Sequence, residues 1–207
     1  MKSVNAYIVL PCYNEEEVLP ETLKRMLELF GKMREENLIS TSSRIVFVDD
    51  GSKDRTWEII EKLHEEDPIY QGVKLSRNKG HQNALLAGLM TVKDKCDMTI
   101  SLDADLQDDI EVFDEMVEKF SEGCDIVYGI RNDRSSDSFM KRFTAEGYYR
   151  LMEFFGTHII FNHADYRLMS RRALEALSEY SEINLFLRGI VPTIGVKSST
   201  VGCKMGV

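Results

Sequence analysis

The regular alternation of short apolar runs with longer amphipathic stretches constrains the fold of this chain most. Each apolar run is short enough for a strand, and each amphipathic stretch has apolar residues at helical spacing. This β-α order predicts an α/β fold with a mostly parallel sheet and helices on both faces. The predicted strands are Val4–Leu10 (ended by Pro11), Arg44–Val48, Gly72–Leu75, Met98–Leu102 and Asp125–Tyr128. The predicted helices are Glu15–Leu29, Arg55–Glu65, Gly80–Met90 and Ile110–Phe120.

The pattern changes after Gly129. A polar stretch is followed by a predicted helix rich in aromatic residues, Phe139–Phe155. Ala164–Met169 is predicted to return to the sheet, and Arg171–Leu177 is predicted to form a short helix. The 207 residues contain no repeat and no low-complexity linker. We therefore expect a single domain over residues 1–207.

The charge of the chain indicates which classes of partner it could bind. The formal net charge is −9, which argues against a general affinity for nucleic acid. Residues 1–130 hold 15 basic and 27 acidic residues, whereas residues 131–207 hold 11 basic and 8 acidic residues. The acidic part could hold a cation and the basic part could face phosphate, or the charges could simply be scattered over a solvated surface. The four cysteines show no metal-ligand spacing, which indicates a reducing, cytoplasmic setting.

Polar clusters follow three of the predicted strands at the points where those strands end. Because the carboxyl ends of parallel strands meet at one edge of a sheet, where ligands of such folds bind, we expect the clusters to lie together. Several carboxylates at one edge repel each other unless a cation or hydrogen-bond donors compensate. Taken singly, each cluster could instead only cap a helix or form a turn. The clusters are Pro11–Glu16, Asp49–Asp54 and Asp103–Asp108.

The third cluster carries the most specific signal. Asp103 and Asp105 are two residues apart directly after an apolar strand, and Gln107 follows at the next alternate position. Mg²⁺ and Mn²⁺ take such oxygen ligands and leave positions for phosphate oxygens. No glycine-rich dinucleotide or P-loop motif occurs, which argues against those uses of the same layout.

With these motifs the chain resembles the family 2 inverting glycosyltransferases with the GT-A fold. Within them it is similar to the polyprenyl-phosphate sugar transferases, which include dolichol-phosphate mannosyltransferase and the GtrB-type glucosyltransferases. The resemblance spans nearly the whole chain. The segments that carry it are Val9–Glu16, Val46–Thr56, Leu75–Gly88, Ser101–Asp108, Gly129–Arg134 with Lys141-Arg142, Ala164–Ser170, and Phe186–Gly195.

The resemblance implies transfer of a hexose, with inversion, from a nucleotide-sugar to an undecaprenyl or dolichyl phosphate. UDP is favoured as the nucleotide because Asp165-Tyr166-Arg167 with Met169 is similar to GtrB-type members. Mg²⁺ or Mn²⁺ is implied, since a cation and arginine groups stabilise the charge on the departing diphosphate. Two alternatives stay open: a saccharide or protein acceptor on the same fold, as in cell-envelope polysaccharide synthesis, and a non-catalytic nucleotide-sugar-binding domain.

The same resemblance implies roles for single residues at the nucleotide and the metal. Asp103, Asp105 and Gln107 would be the metal site, with Asp103 also near the ribose. The residues at the nucleotide would be Pro11, Tyr13 and Glu15 beside base and ribose, Asp50 accepting a hydrogen bond from the base, and Asp49 supporting it. His81 could touch the ligand or only begin a helix.

Basic residues in the second half of the chain are implied at the phosphates of donor or acceptor. They are Arg131, Arg134, Lys141, Arg142 and Arg188. Asp165 would lie near the acceptor. A lipid phosphate is already anionic near neutral pH, so Asp165 need not act as a general base, and an orienting role stays open.

Relatives in this subgroup continue past Gly195 with a basic segment and two transmembrane helices. We therefore expect the chain to be a piece of a longer protein at the cytoplasmic face of the membrane. No run of about 18 apolar residues occurs in residues 1–207, so membrane contact is expected through that further segment. Phe139–Phe155 could lie on the membrane surface or pack on the sheet. Thr193 stands where many relatives carry an aromatic residue, and a homo-oligomer is left open.

Overall fold

The computed structural model describes residues 3–105, 109–131, 163–180 and 187–203. These residues contain a seven-stranded sheet. Its strands are β1 (Ala6–Cys12), β2 (Arg44–Asp49), β3 (Tyr70–Lys74), β4 (Met98–Ser101), β5 (Ile126–Arg131), β6 (His163–Ser170) and β7 (Ser198–Cys203). The order across the sheet is β3-β2-β1-β4-β6-β5-β7.

Six α-helices and two 3₁₀ turns accompany the sheet in the described ranges. The helices are α1 (Leu19–Glu35), α2 (Thr56–Glu66), α3 (His81–Val92), α4 (Phe113–Ser121), α5 (Arg171–Leu177) and α6 (Leu187–Ile190). The 3₁₀ turns are Ile110–Val112 and Val191–Ile194. None of the helices that the structure describes is both long and apolar enough to cross a membrane.

Among the seven strands in the described residues, only β6 runs against the others. It pairs antiparallel with β4 and with β5, whereas β1 to β4 pair in parallel and β5 pairs in parallel with β7. The carboxyl ends of six strands therefore meet at one edge of the sheet, and β6 begins at that edge. The prediction of a mostly parallel sheet is confirmed.

Alternate residues of β1 separate two hydrophobic cores, one on each face of the sheet. Ala6, Ile8 and Leu10 belong to the core covered by α1, α2 and α4. Tyr7 and Val9 belong to the core covered by α3, α5 and residues 187–194. This alternation follows from the two-residue period of a strand that is buried on both faces. The predicted helices on both faces are confirmed.

The prediction that Pro11 ends the first strand is wrong. β1 continues through Pro11, which pairs with Val48, to Cys12, which pairs with Asp49. Proline has no backbone N–H, so it fits a sheet only where that donor has no partner. The pairing of β1 with β4 ends at Val9. The side of β1 that would receive the backbone N–H of residue 11 therefore makes no further hydrogen bonds to a neighbouring strand. The missing N–H therefore costs the sheet nothing.

Two further differences from the sequence-based expectation concern α1 and β7. α1 begins at Leu19 rather than at Glu15, because residues 14–18 form a turn bound to the loop after β2. β7 was not predicted, because an edge strand buries only part of its residues and its sequence SSTVGC has no apolar run.

Candidate active site

Two turns at the carboxyl edge of the sheet are bound tightly to each other. The turn after β1 contains Asn14, which has a left-handed φ of 57°. Its Oδ1 accepts a hydrogen bond from the Lys53 amide at 2.8 Å, and its own amide donates to Ser52 Oγ at 2.9 Å. The Glu15 amide donates to Thr56 Oγ1 at 2.8 Å. The two turns are therefore held rigidly together.

Asp50 attaches a third turn, the one after β3, to these two turns. Its Oδ1 accepts from the Lys79 amide at 2.6 Å and its Oδ2 accepts from the Gly80 amide at 2.8 Å. Gly51 allows the close approach: its φ is 70°, and a Cβ there would lie 2.6 Å from the carbonyl carbon of Arg77. Asp50 is 3% exposed, and its two hydrogen bonds hold the carboxylate in one orientation at the end of β2.

Asp49 is fully buried beneath the same turn. Its Oδ1 accepts a hydrogen bond from the Ser52 amide at 3.1 Å. This bond closes the turn that carries Asp50 and Gly51. The supporting role at the nucleotide that the resemblance implies for Asp49 stays a prediction.

The turn after β4 presents Asp103 and Asp105 at the same edge. Asp103 Oδ1 lies 3.5 Å from Nε2 of His81, the first residue of α3. Asp105 is exposed. His81 begins a helix, as one of its two interpretations has it, and it also faces a carboxylate of the site; its contact with a ligand stays a prediction.

The four turns and the start of α3 enclose a cavity of about 300 Å³. Tyr13 is 39% exposed there, so its ring is available for stacking. Predicted site residues supply half of the lining. The lining consists of Pro11, Cys12, Tyr13, Glu15, Asp50, Asn78, Gly80, His81, Ala84, Asp103, Ala104 and Asp105.

The carboxylates around this cavity repel each other. Partial burial and the negative charges of Asp105, Asp54 and Asp103 raise the pKa of Glu15. A raised pKa means that the site disfavours another negative charge. A bound cation would relieve this repulsion.

The donor set at the cavity fits Mg²⁺ or Mn²⁺ that is also held by a ligand. No group of three or more His, Cys, Asp or Glu side chains arranged to hold a metal occurs within residues 3–105, 109–131, 163–180 and 187–203. Mg²⁺ commonly uses one or two carboxylates and completes its shell with water and substrate phosphates. Asp103 and Asp105 could supply two carboxylates in this way. The predicted third ligand, Gln107, lies outside the described residues.

Backbone positions place two more predicted residues relative to this edge. Arg131 is the last residue of β5, opposite Cys203 of β7. Ser101 pairs with Arg167, so continuing the same antiparallel register by two residues puts Asp165 at the level of Asp103. The sheet topology thus brings Asp165 and Arg131 to the carboxyl edge.

Arg188 lies in α6, which is attached to the start of α3. The Leu187 amide donates to Oε1 of Gln82 at 3.2 Å. Arg188 is exposed and is not part of the cavity lining. The predicted basic residues Arg134, Lys141 and Arg142 lie outside the described residues, as does the predicted helix Phe139–Phe155.

The sequence reasoning assigned no role to two residues that line the cavity, Asn78 and Gly80. They follow β3, the strand whose polar end was not counted among the clusters. The signal was present, because Arg77, Asn78 and Gly80 form a polar, glycine-containing turn directly after an apolar run.

A larger cavity, of about 530 Å³, lies between α2 and α3 at the β3 edge of the sheet. Its walls include Trp57, His64, Gly72 and Val73. It opens beside the middle of β3 rather than beyond the carboxyl ends of the strands, and so away from the position where ligands of such sheets bind. The smaller acidic cavity is therefore the candidate active site.

Comparison with known proteins agrees with this geometry. Residues 7–178 match the family described as Glycosyl transferase family 2. The uncharacterized glycosyltransferase YkoT of Bacillus subtilis (strain 168) is 55% identical over 194 residues, which are 94% of this chain and 58% of that protein. The prophage bactoprenol glucosyl transferase homolog of Escherichia coli (strain K12) is 40% identical over 195 residues, 94% of this chain and 61% of that protein. The chain thus spans about three-fifths of the length of these relatives.

A solved structure shows the same fold. The mannosyltransferase PcManGT from Pyrobaculum calidifontis, in complex with GDP-Man and Mn²⁺, superimposes with a TM-score of 0.68 at 18% sequence identity. The match covers 99% of this chain and 57% of that one. The sheet and the turns at its carboxyl edge define a domain with the GT-A fold. The chain belongs to glycosyl transferase family 2.

Proposed function

We propose that this chain is the catalytic part of an inverting, metal-dependent enzyme that transfers a hexose from a UDP-sugar to a polyprenyl phosphate. The observation that carries the proposal is the shared cavity. It brings Tyr13 and Asp50, suited to a nucleoside, together with Asp103 and Asp105, suited to a cation at a diphosphate. The name of the Escherichia coli relative supports glucose as the sugar and bactoprenol, a polyprenyl lipid, as the acceptor.

The nucleoside end of the cavity is formed by Tyr13 and Asp50. The exposed ring of Tyr13 offers a face on which a base can stack. Asp50 already accepts two backbone amides, one on each oxygen. A carboxylate has about four acceptor positions, so the remaining lone pairs can accept an N–H of the base. The backbone bonds fix the direction of those lone pairs.

The diphosphate end is formed by the turn after β4. Asp103 and Asp105 would hold Mg²⁺ or Mn²⁺, which supplies Lewis-acid stabilisation to the leaving diphosphate when bound. His81, beside Asp103, limits the directions in which that carboxylate can turn. We assign Arg188 and Arg131, together with Arg134, Lys141 and Arg142, to the remaining negative charge of donor or acceptor.

The acceptor is assigned to the side of the cavity where β6 begins. Asp165 lies there by register, at the level of Asp103. A phosphate oxygen is anionic near neutral pH and can attack the sugar without losing a proton to the protein. We therefore expect Asp165→Asn to retain part of the turnover; complete loss with intact donor binding would indicate an indispensable base.

Ligand-dependent stabilisation of the purified chain tests the donor and metal assignments. The unfolding temperature is measured with UDP-glucose and with GDP-mannose, each with Mn²⁺ and with EDTA. We expect the largest increase for UDP-glucose with Mn²⁺. If GDP-mannose stabilises the chain and UDP-glucose does not, the choice of UDP is contradicted. If neither donor stabilises the chain in a metal-dependent way, the proposed metal dependence has no support.

Transfer to the acceptor is tested with radiolabelled UDP-glucose. Labelled product is measured with undecaprenyl phosphate in detergent and with a soluble oligosaccharide acceptor. Product that forms with the lipid phosphate and not with the oligosaccharide supports the proposal. Product with the oligosaccharide alone would assign the same fold to a saccharide acceptor.

A further inference from the structure

The side chain of Thr22 connects helix α1 to the turn between the two candidate metal ligands. Thr22 is 1% exposed. Its Oγ1 donates a hydrogen bond to the backbone carbonyl of Ala104, at 2.5 Å. Ala104 stands between Asp103 and Asp105, so this bond holds the middle of the acidic turn.

Thr22 occupies a position where the pattern of the helix calls for an apolar residue. It lies on the buried face of α1, three residues after Leu19 and four before Met26, and both of these are 0% exposed. A threonine within a helix usually bonds only the carbonyl four residues back, and Thr22 does lie 3.2 Å from the Val18 carbonyl oxygen. The Ala104 carbonyl is 0.7 Å closer, as the two distances of 3.2 Å and 2.5 Å show. The hydroxyl therefore primarily serves the turn.

A second bond anchors the other side of the same turn. The Leu102 amide donates to the Val9 carbonyl at 3.3 Å, continuing the contact between β4 and β1. Asp103 is thus bracketed by an anchor on the sheet and an anchor on α1. Of these two anchors, only the one from Thr22 is a side chain, so it can be removed by substitution.

We propose that Thr22 is a positioning residue for the cation-binding turn: its hydroxyl fixes the Ala104 peptide so that Asp103 and Asp105 converge on one cation. The inference rests on the proposed function, in which these carboxylates hold Mg²⁺ or Mn²⁺. Thr22 does not itself line the cavity, and its hydrogen bond reaches the lining at Ala104 of the acidic turn rather than at Tyr13 or Asp50 of the nucleoside end. Its removal should therefore weaken metal-dependent binding and leave metal-free nucleotide binding unchanged.

The test compares Thr22→Val, which removes the hydroxyl and keeps the shape, with Thr22→Ser, which keeps the hydroxyl. Thr99→Val is the matched control, because Thr99 is also 0% exposed and its Oγ1 has no hydrogen-bond partner among the described residues. Calorimetry measures UDP binding by the purified chain at saturating Mn²⁺ and in EDTA. We expect Thr22→Val to weaken binding with Mn²⁺ about tenfold, the effect of one lost hydrogen bond. Thr22→Ser and Thr99→Val should stay within about twofold of the unsubstituted chain.

The outcomes separate the inference from the proposed function. If the unsubstituted chain shows no Mn²⁺-dependent UDP binding, the proposed function fails and the inference fails with it. If that binding is present and Thr22→Val retains it, only the inference is overturned. An equal loss in Mn²⁺ and in EDTA would mean a general structural role and would also overturn it. Should Thr22→Val not fold, Thr22→Ala takes its place with the same expected loss and the same Thr22→Ser rescue.

Discussion

The Oδ2 atom of Asp50 accepts a hydrogen bond from the backbone amide of Gly80 at 2.8 Å, which joins the end of β2 to the residue before α3. The two residues are 30 positions apart in the sequence. The bond brings a turn that is distant along the chain into the candidate nucleotide cavity. Asp50 is therefore required both for the shape of the cavity and for its polarity.

Replacing Asp50 by Asn should destabilise the chain and reduce nucleotide binding together. The amide group of Asn would place an N–H donor against the backbone donor of Lys79 or of Gly80. We expect a loss of about 1–3 kcal/mol in the free energy of unfolding, measured by urea denaturation. Asp94→Asn is the control, since the Asp94 side chain is 77% exposed. An unchanged stability of Asp50→Asn would mean that the two backbone bonds carry little energy.

Gly51→Ala should also destabilise the chain, through strain. A Cβ at Gly51 would lie 2.6 Å from the Arg77 carbonyl carbon, and the backbone φ there is 70°. We expect a cost of about 2 kcal/mol or more in urea denaturation. Gly31→Ala is the opposite control: Gly31 lies in α1 with nothing within 4 Å of the new Cβ. There we expect stabilisation by about 0.5–1 kcal/mol. A tolerated Gly51→Ala would show that the loop after β3 can move away.

The sequence predicted the order of strands and helices well where burial on both faces makes strands apolar. β1 to β5 and α1 to α4 all have clear apolar patterns. β7 was missed because an edge strand needs no continuous apolar run. The continuation of β1 through Pro11 was missed because it depends on which neighbour β1 has at that point, which is a property of the sheet rather than of the local sequence.

The candidate site was predictable in its acidic residues and less so in the residues that hold them. Asp50, Asp103 and Asp105 stand directly after apolar strands, so their convergence follows from the topology. Thr22 contacts the site through Ala104, which is 82 residues away in the sequence. The sequence indicates this residue only by placing a polar side chain on an apolar helix face. Its partner could not be identified without the packing of α1 on the sheet.

A buried carboxylate away from the site should make the stability of the chain sensitive to acid. Burial would raise the pKa of Asp125, but hydrogen bonds from Arg172 and Ser170 and the positive charge of Arg172 outweigh it and lower the pKa. A lowered pKa contributes stability at neutral pH that is lost as the pH falls from about 5 to about 2. In Arg172→Gln the pKa of Asp125 is no longer lowered in this way. We expect lower stability at pH 7 and a shallower decrease towards acid, measured by urea denaturation across that range.

Lys62→Gln is the control for this pH dependence. Lys62 pairs with Glu66 on the surface of α2, where both side chains are more than half exposed, and such pairs contribute little. We expect its stability profile to follow that of the unsubstituted chain. If Arg172→Gln also follows that profile, the ion pair with Asp125 does not set the acid sensitivity.

Asp105→Asn should raise the stability of the metal-free chain while removing its response to Mn²⁺. Asp105 is exposed. Among the neighbouring carboxylates, its negative charge raises the pKa of Glu15 most. Removing that charge relieves repulsion, which we expect to be worth about 0.5 kcal/mol in EDTA. The same change removes one of the two carboxylates proposed for the cation, so the additional stabilisation by UDP with Mn²⁺ should disappear. Thermal unfolding in EDTA and in Mn²⁺ with UDP measures both effects.

Glu28→Gln serves as the control for Asp105→Asn, because it removes one negative charge from the exposed face of α1 without touching the cavity. It should leave the response to Mn²⁺ intact, which separates a local effect from a change in net charge. The two expected effects of Asp105→Asn have opposite signs, and general damage to the fold cannot produce both. A variant that is less stable in EDTA and still responds to Mn²⁺ would show that Asp105 supports the turn rather than the cation.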